Sequence, residues 1–374
     1  MQFAAIPGYA PVKEHLVHLA KAQQIPHAQL FAGPEGSAAL PLALAFATYV
    51  HCKDKQPTDA CGQCSACTKM QKWVHPDVQF IFPTSPTQQV KGKDVMSNSF
   101  LKPWRTFLRE QPYGNASNWS YHLGVENKQL NIPREEARQI LQAVSLKAFE
   151  GAYKIVCLWL PEYLHTTAAN ALLKVLEEPP PQTLFLLVSF RPEKLLGTIR
   201  SRVQHVHIPA FTDQDLGHLL LQQHPLDQAA LTQIVLLANG NLNKALQLAA
   251  TTATPHFDQF KTWMRLCYTQ NYAQLLAQAE AFQQQPKEAQ KNFLLYALHL
   301  LREALVAPFT AIGLARATDT EQAFSQKLRP TLTHTKIKNH TLWLNHAHYY
   351  LERNASPKIL YLDLSLRVSR SFHN

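Results

Sequence analysis

The sequence predicts an α/β core built on a parallel sheet, followed by an all-helical region. Two observations predict this. Three apolar runs, Ala28 to Ala32, Lys154 to Leu160 and Thr183 to Ser189, are continuous rather than alternating, and helical patterns separate them. Strands of that kind are buried on both faces, as in a parallel sheet covered by helices. From Thr212 onward no strong strand pattern occurs and helical periods follow one another. A chain of 374 residues with 46% apolar residues is long enough for two or three domains and apolar enough to fill a core.

The elements follow in order. Val12 to Ala22 has helical periodicity. The strand ending at Ala32 leads through a Gly/Pro loop into a helix, Leu42 to Val50. Val78 to Phe82 alternates as a strand and stops at Pro83. Thr84 to Asn131 is irregular, broken by Pro86, Gly92, Pro103, Pro112 and Gly114, and reads as an insertion with one short helix around Phe100 to Arg109. Pro133 to Leu146 is a helix, with proline in the first turn and Glu135 and Glu136 near its positive end. Thr166 to Glu177 is a helix stopped by Pro179-Pro180-Pro181. Leu195 to Arg200 is a short helix, and Val203 to Ile208 is a last strand. Helices then span 216–222, 228–238, 243–250, 257–268, 272–284, 287–305 and 341–353. No internal repeat of 20–50 residues occurs.

The loop between the first strand and its helix reads Gly33-Pro34-Glu35-Gly36-Ser37-Ala38-Ala39-Leu40. Strand, loop and helix are the setting of a phosphate-binding loop, whose pattern ends in Gly-Lys-Ser/Thr. Here Ala38 stands at the second glycine, Ala39 at the lysine and Leu40 at the hydroxyl residue. The lysine neutralises phosphate charge and the hydroxyl binds Mg²⁺, and neither alanine nor leucine does so. Taken alone, these eight residues also fit an ordinary turn. In a nucleotide-binding context they are a degenerate loop, with Gly33 and Gly36 kept and the chemistry at Ala39 and Leu40 gone.

Four of the six cysteines cluster as Cys52-x8-Cys61-x2-Cys64-x2-Cys67. Four thiolates at this spacing match the closed tetrahedral shell of a structural Zn²⁺ site, which leaves no position for catalysis. Disulfides are the alternative, and a reducing compartment disfavours them. His75 is a nearby competitor as ligand and reads as a turn residue before Pro76-Asp77. Lys53, Lys55, Lys69 and Lys72 surround the cluster. Cys157 and Cys267 sit in apolar patterns and read as buried hydrophobes.

The net charge is +10, from 36 Lys and Arg against 26 Asp and Glu, and favours polyanionic partners. The excess is dispersed: Arg105, Arg109, Lys128, Arg134 and Arg138 in the first half, and Lys327, Arg329, Lys336 and Lys338 late. No apolar run reaches membrane-spanning length, and Met1 to Tyr9 lacks the form of a secretion signal. The expectation is a cytoplasmic protein with no membrane partner.

Residues Asn170 to Pro180, Asn-Ala-Leu-Leu-Lys-Val-Leu-Glu-Glu-Pro-Pro, are specific. With the cysteine module after the loop helix, His75-Pro76-Asp77, Phe185 to Ser189, Arg191 to Leu196 and Thr198 to Arg202, this chain resembles bacterial clamp-loader subunits of the DNA polymerase III holoenzyme, which are AAA+ proteins. The resemblance covers about residues 1–210. It implies an AAA+ core at 1–209, with a zinc module at 52–67 and the insertion at 84–131, a helical lid at 210–252 and a helical collar domain at 253–374 for oligomerisation. The insertion is longer than the family leads one to expect.

Within that family the ATP-hydrolysing gamma and tau subunits keep the loop lysine and an Asp-Glu pair ending the second buried strand. Here that pair is Trp159-Leu160, with Glu162 two residues late. Gly240-Asn241-Leu242 is followed by Asn243 where the ATPases carry a nucleotide-sensing arginine, and Ser189-Phe190 lacks a polar second residue. The resemblance thus implies a subunit that binds no ATP of its own. Arg202, in Ser201-Arg202-Val203, matches the arginine that the family projects into a neighbour's ATP site, with Val203 replacing a cysteine. Arg200 is its near alternative. The implied role is an accessory subunit of a DNA-directed DNA polymerase holoenzyme, with gamma/tau and delta subunits as partners and the sliding clamp and primed DNA reached through the complex. An ATP-hydrolysing gamma/tau-type subunit and an autonomous zinc-dependent DNA-binding module are the alternatives.

Overall fold

A computed structural model of the chain describes residues 1–126, 128–224, 226–250, 256–306 and 319–373. It divides into two compact units. The first comprises Met1–Leu216 with Gly240–Lys244, and the second Gly217–Asn239 with Ala245–Asn374.

The first unit is built on five parallel strands: β1 (Ala28–Ala32), β2 (Val78–Ile81), β3 (Lys154–Trp159), β4 (Thr183–Ser189) and β5 (Gln204–His207), in the order β2-β3-β4-β1-β5. Its helices are α1 (Ala10–Lys21), α2 (Ala39–His51), α3 (Ser65–Gln71), α4 (Leu101–Glu110), α5 (Ala116–His122), α6 (Arg134–Ser145), α7 (Thr166–Glu177) and α8 (Gly197–Arg200). The inner strands are apolar throughout because both faces are covered. Leu30, Val156, Leu158, Phe185 and Leu187 join α6 and α7 through Ile140, Val144, Leu172 and Leu176. The other face carries α2, which packs on β1, β3 and β4 and has all thirteen residues buried. An alternating surface pattern is therefore absent from α2, and its apolar run is explained by burial all round. The edge strand β5 is short and polar, with only Val206 buried, as an edge needs to be to avoid pairing with another chain.

Asp77 explains the His-Pro-Asp turn. Its carboxylate accepts backbone N–H bonds from Phe149 (2.5 Å), Glu150 (2.9 Å) and Gly151 (2.8 Å), and so fixes the loop before β3. Burial alone would raise its pKa, but these donors outweigh it and hold the group below the usual carboxylate value. His75 is buried, stacks on His51 with ring centroids 4.1 Å apart, and accepts the Asp77 N–H at Nδ1.

The insertion is closed at its base by an antiparallel bridge between Thr84 and Asn131. Among its described residues it holds two α-helices, where the sequence pattern suggests one. The missed helix, α5, is seven residues long and starts on a reciprocal capping box between Asn115 and Asn118. Trp104 and Phe107 of α4 and Trp119 of α5 bury themselves against Phe82 and Trp159, with centroid separations of 4.3 Å for Phe82–Trp104 and 5.0 Å for Trp104–Trp159. The Trp119 indole N–H donates to the Pro83 carbonyl at 2.7 Å. Residue 127 of the insertion lies outside the described residues.

Helices α9 (Asp213–Gln223), α10 (Gln228–Ala238) and α11 (Leu242–Ala250) follow, then α12 (His256–Tyr268), α13 (Tyr272–Gln284), α14 (Lys287–Val306), α15 (Asp319–Leu328), α16 (His334–Glu352) and α17 (Pro357–His373). Helices α15 and α17 are absent from the sequence reading. In the second unit α12, α13, α14, α16 and α17 pack around Phe260, Trp263, Phe282, Phe293 and Tyr361. The Trp263 indole donates to Ser365 Oγ at 2.9 Å, so the buried polar atom is satisfied. Cys267 is buried there, as Cys157 is in β3. The expected boundary between residues 252 and 253 lies outside the described residues.

Candidate functional site: a closed phosphate-type loop and a four-cysteine centre

The loop after β1 keeps the bend of a phosphate-binding loop. Gly36 has φ +76°, and a Cβ there would lie 1.9 Å from Asn241 Oδ1. A Cβ on Gly33 would lie 2.4 Å from the Ile208 carbonyl oxygen. Both glycines are thus demanded by close approach. The start of α2, where a phosphate would bind backbone N–H groups, has no side-chain cap, and the Tyr9 hydroxyl stands 3.4 Å from the Ala38 N–H. The Tyr9 hydroxyl is held well above its ordinary pKa by burial, so it stays a neutral donor and acceptor.

Ala39 and Leu40 are fully buried. A lysine head at Ala39 would enter packed core. The Gly36 carbonyl accepts the Leu242 N–H at 3.1 Å, while Asn241 Oδ1 accepts the Lys244 N–H at 2.9 Å. The Glu35 carboxylate is occupied on both oxygens: Oε1 accepts from Arg191 Nη2 at 3.0 Å and Oε2 from Asn115 Nδ2 at 2.8 Å. Asn115 does not stand out in the sequence, because its partner Glu35 comes from a segment 80 residues away. The doubled Asn115-x2-Asn118 was the available signal.

Trp159 ends β3 and is fully buried, and Leu160 follows in the left-handed region with φ 56°. Glu162 lies in the next turn and lines a cavity of about 410 Å³ with Glu35, His165, Arg191 and Lys194. Burial raises the Glu162 pKa. Ser189 Oγ, at the end of β4, accepts the Arg191 N–H at 3.1 Å.

Arg202 lies between α8 and β5. Its Nε donates to Glu177 Oε2 at 2.8 Å and its Nη1 to the Thr198 carbonyl at 3.0 Å. Because β5 runs parallel to β1, with Gln204 beside Gln29 and His207 beside Ala32, Arg202 sits at the N-terminal ends of the strands. The loop leaves from their C-terminal ends, beyond the four paired residues Gln29 to Ala32, which span roughly 13 Å at the usual rise. The structure therefore separates Arg202 from the loop of its own chain.

The four cysteines converge. Their sulfurs all lie within 4.8 Å of one another, and Cys61 Sγ is 3.9 Å from Cys67 Sγ. A tetrahedral ion with metal–sulfur distances of about 2.3 Å needs sulfurs roughly 3.8 Å apart. The residues present fit such an ion. Backbone N–H groups of Cys61, Cys64 and Cys67 point at the sulfurs of Cys52, Cys61 and Cys64 at 3.3, 3.3 and 3.5 Å. These bonds stabilise thiolate charge. At Cys64, burial alone would raise the pKa, but the Cys67 and Lys53 N–H groups and neighbouring thiols bring it down to about 6. His75 lies outside this cluster among the described residues. Lys69 pairs with Glu150 at 2.7 Å, and Lys55 donates to the Cys52 carbonyl at 2.8 Å. Of the dispersed cations, Arg105 donates to the Trp73 carbonyl and Lys128 to the Pro86 carbonyl, so both serve as internal ties.

A parallel β2-β3-β4-β1-β5 sheet with its loop after β1, a cysteine module after the loop helix and helices beyond defines the α/β core of the AAA+ class. The chain belongs to the family described as DNA polymerase III, delta subunit, whose profile matches residues 9–212. It is 29% identical over 242 residues to the DNA polymerase III subunit delta' of Escherichia coli K12, covering 65% of this chain and 60% of that protein. It is 26% identical over 251 residues to the subunit tau/gamma of Haemophilus influenzae, covering 66% of this chain and 30% of that one. The chain thus spans about 60% of the length of the delta' relative. A solved gamma subunit-related protein from Thermotoga maritima covers 95% of this chain and 99% of its own at 14% identity, with a TM-score of 0.41. No helix among the described residues is long and apolar enough to cross a membrane.

Proposed function

We propose that this chain is a non-hydrolysing, delta-prime-type subunit of a DNA polymerase III clamp loader, supporting placement of the sliding clamp on primed DNA. The observation that carries the reading is the loop. Ala39 and Leu40 are buried where phosphate and Mg²⁺ chemistry needs a lysine and a hydroxyl, and Asn241 sits against Gly36. The chain's own site holds no ATP. Arg202 is supplied in trans to a neighbouring ATPase subunit, where a guanidinium stabilises charge on the transferring phosphoryl group. Its distance from its own loop supports that direction.

The partners are gamma/tau and delta subunits, with the clamp and primed DNA reached through the complex in the cytoplasm. Residues 1–209 serve as the core, 210–252 as the lid and 253–374 as the oligomerisation collar. Cys52, Cys61, Cys64 and Cys67 hold a structural Zn²⁺, which supplies cross-linking and no reaction step. The second reading, an ATP-hydrolysing gamma/tau-type subunit, rests on the comparable identity to tau/gamma relatives. Co-purification with gamma/tau and delta subunits, with ATPase measured on the parts and the whole, separates the two. ATP turnover by this chain alone would favour the second.

A further inference from the structure

The insertion is the largest feature that the proposed function leaves without a role. Its contacts fall on the loop and on two positions, Trp159 and Asn243, where nucleotide chemistry has been lost. Trp159, in place of an acid at the end of β3, packs on Trp104 and Phe107 at 5.0 and 5.8 Å between centroids. Glu35 of the loop accepts from Asn115 Nδ2. Asn243, where an arginine is expected, donates through Nδ2 to Asn118 Oδ1 at 2.7 Å. Phe190, at the end of β4, reaches the same Trp159 edge-on at 6.5 Å.

We propose that the insertion is an internal and permanent substitute for a nucleotide, clasping the loop, the β3 end and the segment 240–244 together. This rests on the reading that the loop holds no ATP. A loop without its lysine has no phosphate to order it, yet it keeps a glycine-dependent bend and polar groups to satisfy. Asparagine suits the task because one amide donates and accepts at once. Asn115 donates to Glu35 while its Oδ1 accepts the Asn118 N–H at 3.0 Å. Asn118 Oδ1 accepts both the Asn115 N–H at 3.0 Å and the Asn243 amide. A continuous chain, Arg191–Glu35–Asn115–Asn118–Asn243, results. The buried aromatic cluster fixes the helices that carry it, so these bonds form at small entropic cost. Of the altered positions, Trp159 and Asn243 touch the insertion directly.

Deleting the insertion would expose its aromatic cluster, so the test uses point variants of the full chain. Asn115→Asp sets a second carboxylate against Glu35, and Asn243→Ala removes only the link to Asn118. Hydrogen exchange should quicken about tenfold at the Leu242 and Lys244 amides in each variant, while β3 and β4 exchange as in wild type. Millimolar ATP with Mg²⁺ should leave wild-type exchange in 33–40 and 240–244 unchanged. Unchanged exchange in both variants overturns the clasp and leaves the non-hydrolysing reading standing. Protection of the loop by ATP overturns both.

Discussion

Ala39 and Leu40 set the question at the residue scale. Restoring the missing chemistry with Ala39→Lys and Leu40→Thr should not restore ATP binding, because both side chains are buried and Asn241 occupies the glycine cradle. Calorimetric titration with ATP and Mg²⁺ checks this, and micromolar binding would show that two side chains were all that was missing. His340 makes a separate prediction. It is buried, its Nε2 is 2.6 Å from Ser371 Oγ, and burial, with Lys336 nearby, pulls its pKa down to about 4. The unfolded chain protonates this imidazole near pH 6.5, and the folded chain only near pH 4. Stability from this group is complete above pH 6.5 and falls as pH drops towards 4, by at most about 1.4 kcal/mol per pH unit. Urea unfolding of His340→Gln across that window should show a shallower decline than wild type.

Two elements carry their own predictions. The cysteine module is short, and its buried residues are few, Cys52, Ala60, Ala66, Cys67 and Met70, so under the proposed function its order should depend on the structural ion. Cys64→Ser, or chelation, should abolish zinc binding measured by mass spectrometry and make residues 53–63 sensitive to protease, while the sheet stays folded. Loss of the whole fold would assign the metal a larger role. In the insertion, Trp104 is fully buried between Phe82, Phe107, Trp119 and Trp159. Trp104→Ala should cost about 3–5 kcal/mol in denaturant unfolding. The sequence places strand β4 and helices α7, α10 and α13 at their observed bounds, and β1 to within one residue, since each has an unbroken period and clear stops. Helix α5 escaped notice because seven residues, with Trp119 and Ser120 buried, make no period, and its start is defined by a capping box.

At the scale of the whole molecule, the reading is of a subunit that lends a side chain to its neighbour. In the reconstituted complex, Arg202→Ala should leave assembly intact and lower DNA-stimulated ATPase at least tenfold. An unchanged rate would remove Arg202 from the site, with Arg200→Ala as the control. The sequence by itself determined the parallel-sheet class, the helical second half, the four cysteines and the loss of loop chemistry. These are local facts of hydrophobic run, spacing and residue type. Tertiary structure alone decided what replaced the lost chemistry. Asn115, Asn118 and Asn243 are ordinary polar residues until folding brings segments 80 to 125 residues apart within hydrogen-bond reach. Likewise, only the parallel register shows that Arg202 and the loop lie at opposite ends of the strands. Pattern reports which face a residue prefers, whereas the partner it meets there depends on chain closure over long separations.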